Sequence, residues 1–354
     1  MTETTIVVNP IAGRGAGEKL SPRVEEMLRD LGLSFEMAHT EGPGHAVALA
    51  REAALQGREV VVAMGGDGTV NEVLNGMMQA LRPGETQVGP ALAVLPIGTG
   101  NDFAFGAGLS LDLEVACRAV VRGRERLIDV GQVQADPDRP DQDRVASSLS
   151  ESVRSNGFSR VKATEVATTN EKRSLLRQPA RNRVGNDRPL YFGNGVGLGF
   201  DAMVNIESRK IKRLRGFMVY LVAVFRTLVF YYNAPRIRVR VDEREMILPS
   251  IMVSVTNGCR FGGGFYVTPD AQMDDGLLDL CVAGEMSRPQ MVGFVPRFMR
   301  GNHVGDSRVT MTRGQKVTVV SESPWAAHVD GEIYGLGGQR FEMEIIPQCL
   351  RLVT

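Results

Sequence analysis

Val60-Val61-Val62-Ala63-Met64-Gly65-Gly66-Asp67-Gly68-Thr69-Val70-Asn71-Glu72 sets a carboxylate in a glycine-rich turn between a β-branched run and a helix-like pattern. Glycines at 65, 66 and 68 let the backbone turn tightly and let a bulky ligand approach the main chain. The free N–H groups and dipole of the helix that follows favour an anion, phosphate above all. A carboxylate at the centre of a phosphate site needs a reason. Either Mg²⁺ lies between them or Asp67 handles a proton, and both point to phosphoryl transfer.

Two further stretches repeat the design. Ile6-Val7-Val8-Asn9-Pro10-Ile11-Ala12-Gly13-Arg14-Gly15-Ala16-Gly17 joins a strand to a helix, as does Leu92-Ala93-Val94-Leu95-Pro96-Ile97-Gly98-Thr99-Gly100-Asn101-Asp102. In an open parallel sheet the strand ends lie on one edge, so three such loops can converge on one ligand. Asn9, Gly65, Gly66, Gly68, Thr69, Gly98, Thr99, Gly100 and Asn101 are the candidate phosphate contacts, and the family resemblance described below makes them ATP contacts. The Thr69 hydroxyl could cap the helix or bond a phosphate, and Arg14 could reach phosphates or stay solvated. Asp102 could face a cleft or cap the following helix. A Gly-x-x-x-x-Gly-Lys-Ser/Thr loop is absent, and residues 13–17 miss the Gly-x-Gly-x-x-Gly spacing, so a P-loop enzyme and hydride transfer have little support.

The elements that must hold these loops alternate. Strands are expected at 4–8, 34–38, 59–64, 91–95 and 126–130, with helices near 17–31, 44–56, 69–80 and 110–122. That order predicts a three-layer α/β nucleotide-binding domain with a mostly parallel sheet over residues 1–131. From 189 to 354 the period changes to two, at 237–241, 251–255, 277–282, 317–320 and 341–346, which predicts an antiparallel β-rich, sandwich-like domain. Helices near 207–231 and 285–300 interrupt it. Residues 136–188, with Asp-Pro-Asp-Arg-Pro-Asp-Gln-Asp-Arg and few apolar positions, read as a disordered insertion.

Composition bounds the partners. With 41 basic and 41 acidic residues the net charge is zero, so no global field draws nucleic acid or membrane. Four cysteines without a Cys-x-x-Cys pair suit free thiols in a reducing cytosol. The chain starts straight into a strand without a signal segment, and its longest apolar stretch, 217–232, is too short and too charged to span a bilayer.

Asn9-Pro10, Gly65-Gly66-Asp67-Gly68-Thr69 with Asn71-Glu72, and Pro96-Ile97-Gly98-Thr99-Gly100-Asn101-Asp102-Phe103 together resemble the diacylglycerol kinase catalytic-domain family. This family includes bacterial lipid kinases and is related to sphingosine and ceramide kinases. Gly197-Leu198-Gly199-Phe200-Asp201-Ala202, residues 271–279 and Asp330-Gly331-Glu332 extend the resemblance over nearly the whole chain except about 136–188. The Gly-Gly-Asp-Gly signature alone is shared with NAD kinases and phosphofructokinases, and the later motifs separate them.

The resemblance implies an ATP- and Mg²⁺-dependent kinase that phosphorylates diacylglycerol or a similar hydroxyl lipid in a cleft between the two domains. It implies that Asp67, Asp330 and Glu332 are the catalytic residues, with Asp67 needed for activity and Asp330, in a Gly-containing turn with Glu332, acting as general base. Which of Asp67 and Asp330 takes the proton stays open. Asp274-Asp275-Gly276-Leu277 has donors for a hard cation, and the resemblance implies a structural metal on Asp275 with the carbonyls of Gln272 and Leu277. Sphingoid-base, ceramide or polyprenol kinases, and a silent lipid- or nucleotide-binding regulator, are the alternatives. Arg209-Lys210-Ile211-Lys212-Arg213-Leu214-Arg215 before an apolar helix suits a cytoplasmic protein resting on the inner face of a membrane. A homodimer through the β-rich domain would be consistent with the family.

Overall fold

Strand β1 (Thr4–Val8) is buried at every position, because both faces of the N-terminal sheet are covered. The computed structural model describes residues 4–81, 85–135, 189–211, 214 and 217–354. β1 pairs in parallel with β2 (Phe35–His39) and β3 (Val60–Gly65), and β3 pairs in parallel with β4 (Ala91–Pro96). Helices α1 (Ala12–Asp30) and α5 (Leu113–Arg122) pack Val24, Leu28, Cys117 and Val120 on one face. On the other, α2 (His45–Leu55) and α3 (Asp67–Met78) pack Ala46, Ala50, Val73 and Met77 against Val7, Val61 and Ala63. A short α4 (Asp102–Gly106) follows the third glycine loop.

The fifth strand departs from expectation. β5 runs Glu125–Ala135, longer than 126–130, and pairs antiparallel with β13 (Glu332–Val353). The last strand of the chain takes the place beside β4, meeting it in parallel at Leu352↔Leu92. β5 and β13 thereby carry one continuous sheet out of the first domain into the second. A period-two pattern says which face of a strand is buried but not which strand it meets.

Beyond β6 (Leu190–Phe192), strands β7 (Gly195–Gly199), β8 (Arg236–Val241), β9 (Arg244–Thr256), β10 (Leu278–Gly284), β11 (Val309–Gly314) and β12 (Lys316–Val329) pair antiparallel with one another and with β13. β8 shows the cause plainly, with arginines outward and Ile237, Val239 and Val241 buried. Those side chains meet Leu198, Val253, Leu280, Val319 and Phe341 in one core.

Three helices sit on this sheet: α6 (Phe200–Ser208), α7 (Phe217–Phe230) and α8 (Arg288–Arg300). The helix expected over 207–231 is two helices. Ser208 turns its hydroxyl back to the Asn205 carbonyl at 2.7 Å, and buried Glu207 pairs with both Lys210 and Arg226, which folds the chain back across the break. Among the described residues no helix is long and apolar enough to cross a membrane. The expected insertion at 136–188, and Lys212, Arg213 and Arg215 of the basic run, lie outside the described residues.

Candidate active site

The three glycine loops meet backbone to backbone. The Asn9 N–H donates to the Met64 carbonyl at 3.0 Å, and the Ile97 N–H to the Gly65 carbonyl at 2.8 Å. A Cβ on Gly98 would lie 2.5 Å from the Gly66 Cα, and one on Gly13 would lie 2.4 Å from the Ile97 oxygen. Glycine is therefore what allows the loops to close up. Asn9 Nδ2 donates to Thr69 Oγ1 at 2.9 Å, so Thr69 neither caps α3 nor stands free. Arg14, held at a left-handed φ of 61°, donates to the Leu214 carbonyl at 2.5 Å and is tied to the segment before α7.

Asp67 opens α3 and Asp102 opens α4, with Asn101 rather than Asp102 at the cap position. Asp67 Oδ1 accepts the Phe103 N–H at 3.0 Å. Asp102 Oδ1 accepts Arg260 Nε at 2.9 Å and the Gly263 N–H at 3.0 Å. A Cβ on Gly100 would lie 3.0 Å from Asp67 Oδ2 and 3.3 Å from Asp102 Oδ2, so both oxygens flank one small space above that glycine. Burial, then repulsion from Asp67, pushes the Asp102 carboxyl up to about 7, against the pull of Gly263 and Arg260. Asp67 is raised by burial and by the negative charge of Asp330, against the N–H groups of Phe103, Asp102 and Asn101.

Asp330 ends β12 at a left-handed φ of 46°. Its Oδ2 accepts Asn71 Nδ2 and the Gly193 N–H, both at 2.9 Å. Its Oδ1 accepts the N–H groups of Asn194 at 2.9 Å and Gly195 at 2.7 Å. Four N–H donors fill the carboxylate's lone pairs and suit its ionised form, although burial pushes its proton affinity up. Glu332 pairs with Arg209 at 2.9 Å, and its Oε1 lies over Gly68. The turn is held from α6 as well, where Asn205 Nδ2 donates to the Gly331 carbonyl at 2.8 Å.

Asp67, Gly68, Asp102, Asp330 and Glu332 form the charged end of one cavity of about 270 Å³. The same cavity runs beneath α7 and α8, where Val224, Leu228, Met291 and Phe294 form apolar walls. The expected metal set lies elsewhere. Asp275 is exposed, its Oδ1 accepts the Leu277 N–H at 3.1 Å, and its Oδ2 faces the Arg313 guanidinium at 3.6 Å. Gln272 is exposed on the same turn. The Arg313 guanidinium is itself held by Asp279, whose Oδ1 accepts its Nε at 2.7 Å.

Arg260 and Asp129 escaped the sequence reading. Arg260 lies in Arg-Phe-Gly-Gly-Gly at 260–264, a run whose third residue from the arginine, Gly263, reaches Asp102. Asp129 is fully buried and accepts the Gly276 and Gln348 N–H groups at 2.7 Å each, bracing the two domains at β5. Nothing local to residue 129 signals that partnership.

Residues 3–133 match the diacylglycerol kinase catalytic domain, and residues 194–354 match the YegS C-terminal NAD kinase beta sandwich-like domain. A diacylglycerol kinase of Bacillus subtilis (strain 168) is 26% identical over 343 residues, covering 95% of this chain and 91% of its own length. A diacylglycerol kinase of Mycobacterium tuberculosis (strain H37Rv) is 27% identical over 320 residues, covering 90% and 84%. The fold is shared with the crystal structure of a diacylglycerol kinase from Bacillus anthracis str. Sterne, with a TM-score of 0.65 at 17% identity, covering 99% of this chain and 96% of that one. Domain matches and glycine loops together define the class as a lipid kinase. The chain belongs to the diacylglycerol kinase catalytic-domain family.

Proposed function

We propose that the protein transfers the γ-phosphoryl group of ATP to the hydroxyl of diacylglycerol or a similar lipid. One observation carries the reading: a single cavity joins the carboxylate-lined mouth of the glycine loops to apolar walls under α7 and α8. ATP would lie along the loops of Asn9, Gly65–Thr69 and Gly98–Asn101, on the N-terminal N–H groups of α3. The lipid would enter from the apolar end and place its hydroxyl beside Asp67. Residues 1–131 and 189–354 would then act as the two halves of one catalytic unit.

The space above Gly100 fits a hard cation, since two carboxylate oxygens flank it and the Asp67 charge raises the proton affinity of Asp102. We assign Asp102 to holding Mg²⁺ there, and the ion when bound supplies neutralising charge for the phosphates. Phosphoryl transfer depends chiefly on positioning and such neutralisation. Asp67 takes the hydroxyl proton, because it lines the cavity and the buried Asp330 charge raises its proton affinity. Asp330, with four donors in place, is a positioning residue. Glu332 and Arg209 fix the turn over Gly68.

Approach to a bilayer has a surface to use. α7 turns Val224 and Leu228 into the cavity and leaves Met218, Phe225, Val229 and Phe230 exposed, with Val229 64% accessible. An apolar helix of this kind suits the interfacial plane of a membrane, and we propose that the protein works there from the cytoplasmic side.

The test is incubation with labelled ATP, Mg²⁺ and detergent-dispersed diacylglycerol, sphingosine, ceramide and polyprenol, beside Asp67→Ala and Asp330→Ala. Label in a lipid that is lost in Asp67→Ala supports the reading and names the acceptor. ATP binding without label in any lipid would leave a silent regulator instead.

A further inference from the structure

Asp201 lies in the first turn of α6, immediately after β7, and its side chain lines the same cavity. Its Oδ2 accepts the Ser254 hydroxyl at 2.9 Å and lies 3.4 Å from Nε2 of buried His328. The other ring nitrogen, Nδ1, accepts the Gly331 N–H at 3.3 Å. That bond assigns the ring proton to Nε2, facing Asp201. Gly197 makes room for the arrangement. It sits across the ladder from His328, and a Cβ there would lie 2.2 Å from His328 Nε2 and 2.4 Å from Asp201 Oδ2. The Ser254 hydroxyl thus holds one oxygen of Asp201 beside the His328 ring, and Asp201 Oδ1 accepts no hydrogen bond among the described residues.

The placement decides what the free oxygen could do. His328 lies near the end of β12 and Asp330 opens the turn that follows, and both line the same cavity as Asp201. The Phe261 ring meets His328 edge-on, with ring centroids 5.1 Å apart, on the apolar side. Asp201 therefore stands between the phosphoryl-transfer end and the chain-binding walls, where an acceptor's headgroup would pass. A carboxylate there can only accept, so it selects a donor.

We infer that Asp201 binds a hydroxyl or ammonium of the acceptor's headgroup other than the hydroxyl that is phosphorylated, with Ser254 and His328 as its positioning residues. This rests on the lipid-kinase reading above. It separates acceptors by headgroup, because a monoacylglycerol keeps a second hydroxyl where diacylglycerol carries an ester.

Asp201→Asn tests it without a change of shape. The amide oxygen would turn to the Ser254 hydroxyl and leave an NH₂ donor in the cavity. The ratio of kcat/KM for 1-oleoylglycerol to that for 1,2-dioleoylglycerol should fall about tenfold, the scale of a hydrogen bond to a charged group, with the KM for ATP unchanged. Ser254→Ala should shift the ratio in the same direction by less. Trp325, the only tryptophan, packs on Gly199 two residues from Asp201 and gives a second readout, with weaker 1-oleoylglycerol binding expected in a fluorescence titration of Asp201→Asn. An unchanged ratio and titration, with wild-type protein labelling both lipids, would overturn the assignment and leave the kinase reading standing. Wild-type protein that binds ATP and labels neither lipid would remove both.

Discussion

Asn71 Nδ2 donates to Asp330 Oδ2 at 2.9 Å, joining the first helical turns after the Gly-Gly-Asp-Gly loop to the β12–β13 turn across 259 residues of sequence. Both side chains are buried, and the same amide nitrogen also reaches the Tyr191 carbonyl at 3.0 Å. The two halves of the cavity are thus fixed to each other at the point where a phosphoryl group would pass. Asn71→Ala leaves a buried carboxylate one donor short. It should lower stability by about 2 kcal/mol in urea unfolding and reduce kcat more than it changes the KM for ATP.

Glycine substitutions at the loops should divide sharply. In Gly98→Ala the new methyl would meet the Gly66 backbone at 2.5 Å, where neither strand end can yield, so nucleotide affinity should drop at least about tenfold. In Gly68→Ala the nearest atom, 2.7 Å away, is Oε1 of Glu332, the end of a flexible side chain. That variant should keep nucleotide affinity within about threefold. Fluorescent-nucleotide titration of the two proteins checks the contrast.

Much of this site is legible in sequence because its parts are local. Three strand–glycine–helix loops, Asp67 and Asp102 announce themselves by type and spacing, whereas the Asp330-Gly331-Glu332 turn stands out only through the family resemblance. What sequence leaves out is partnership. Nothing near Asp102 names Arg260, and nothing near Asp129 names Gly276 or Gln348, since these partners are distant in sequence and Gln348 arrives only when the chain's last strand returns beside β4. The same return explains why β5 was expected as a fifth strand of the first domain and is instead antiparallel to β13. The helix expected over 207–231 failed for a related reason, because Glu207 is paired from both sides of a break that hydrophobic periodicity cannot show.

The raised Asp102 carboxyl gives Mg²⁺ binding a pH signature. Without the ion Asp102 titrates near 7, so below that a cation must displace a proton. Apparent Mg²⁺–ATP affinity should fall about tenfold per pH unit below 7 and level off above it. Calorimetry in buffers of different ionisation enthalpy should show about one proton released at pH 6 and almost none at pH 8.5. The folded state holds this proton where the unfolded chain has lost it. Its contribution to stability is therefore full below the unfolded carboxyl pKa of about 3.9 and lost as pH rises through about 7. Added Mg²⁺ should flatten that slope in thermal unfolding.

The outer face of α7 should matter for membranes and not for folding. Val229 and Phe230 are exposed, at 64% and 59%, so Val229→Glu with Phe230→Glu should leave stability within about 0.5 kcal/mol. Co-sedimentation with vesicles containing anionic lipid should fall several-fold. Activity on a short-chain acceptor dispersed in detergent should be retained.

Continuity of the cavity from carboxylates to apolar wall is the central claim, and a plug tests it most directly. Val224 is 7% exposed and lines the apolar end. In Val224→Trp the enlarged side chain would occupy that end while leaving the glycine loops untouched. Transfer of label from ATP to 1,2-dioleoylglycerol should fall at least about tenfold, with nucleotide binding and thermal unfolding close to wild type. Transfer at the wild-type rate in a folded Val224→Trp protein would contradict the account, because the lipid would then reach the phosphoryl group by another route.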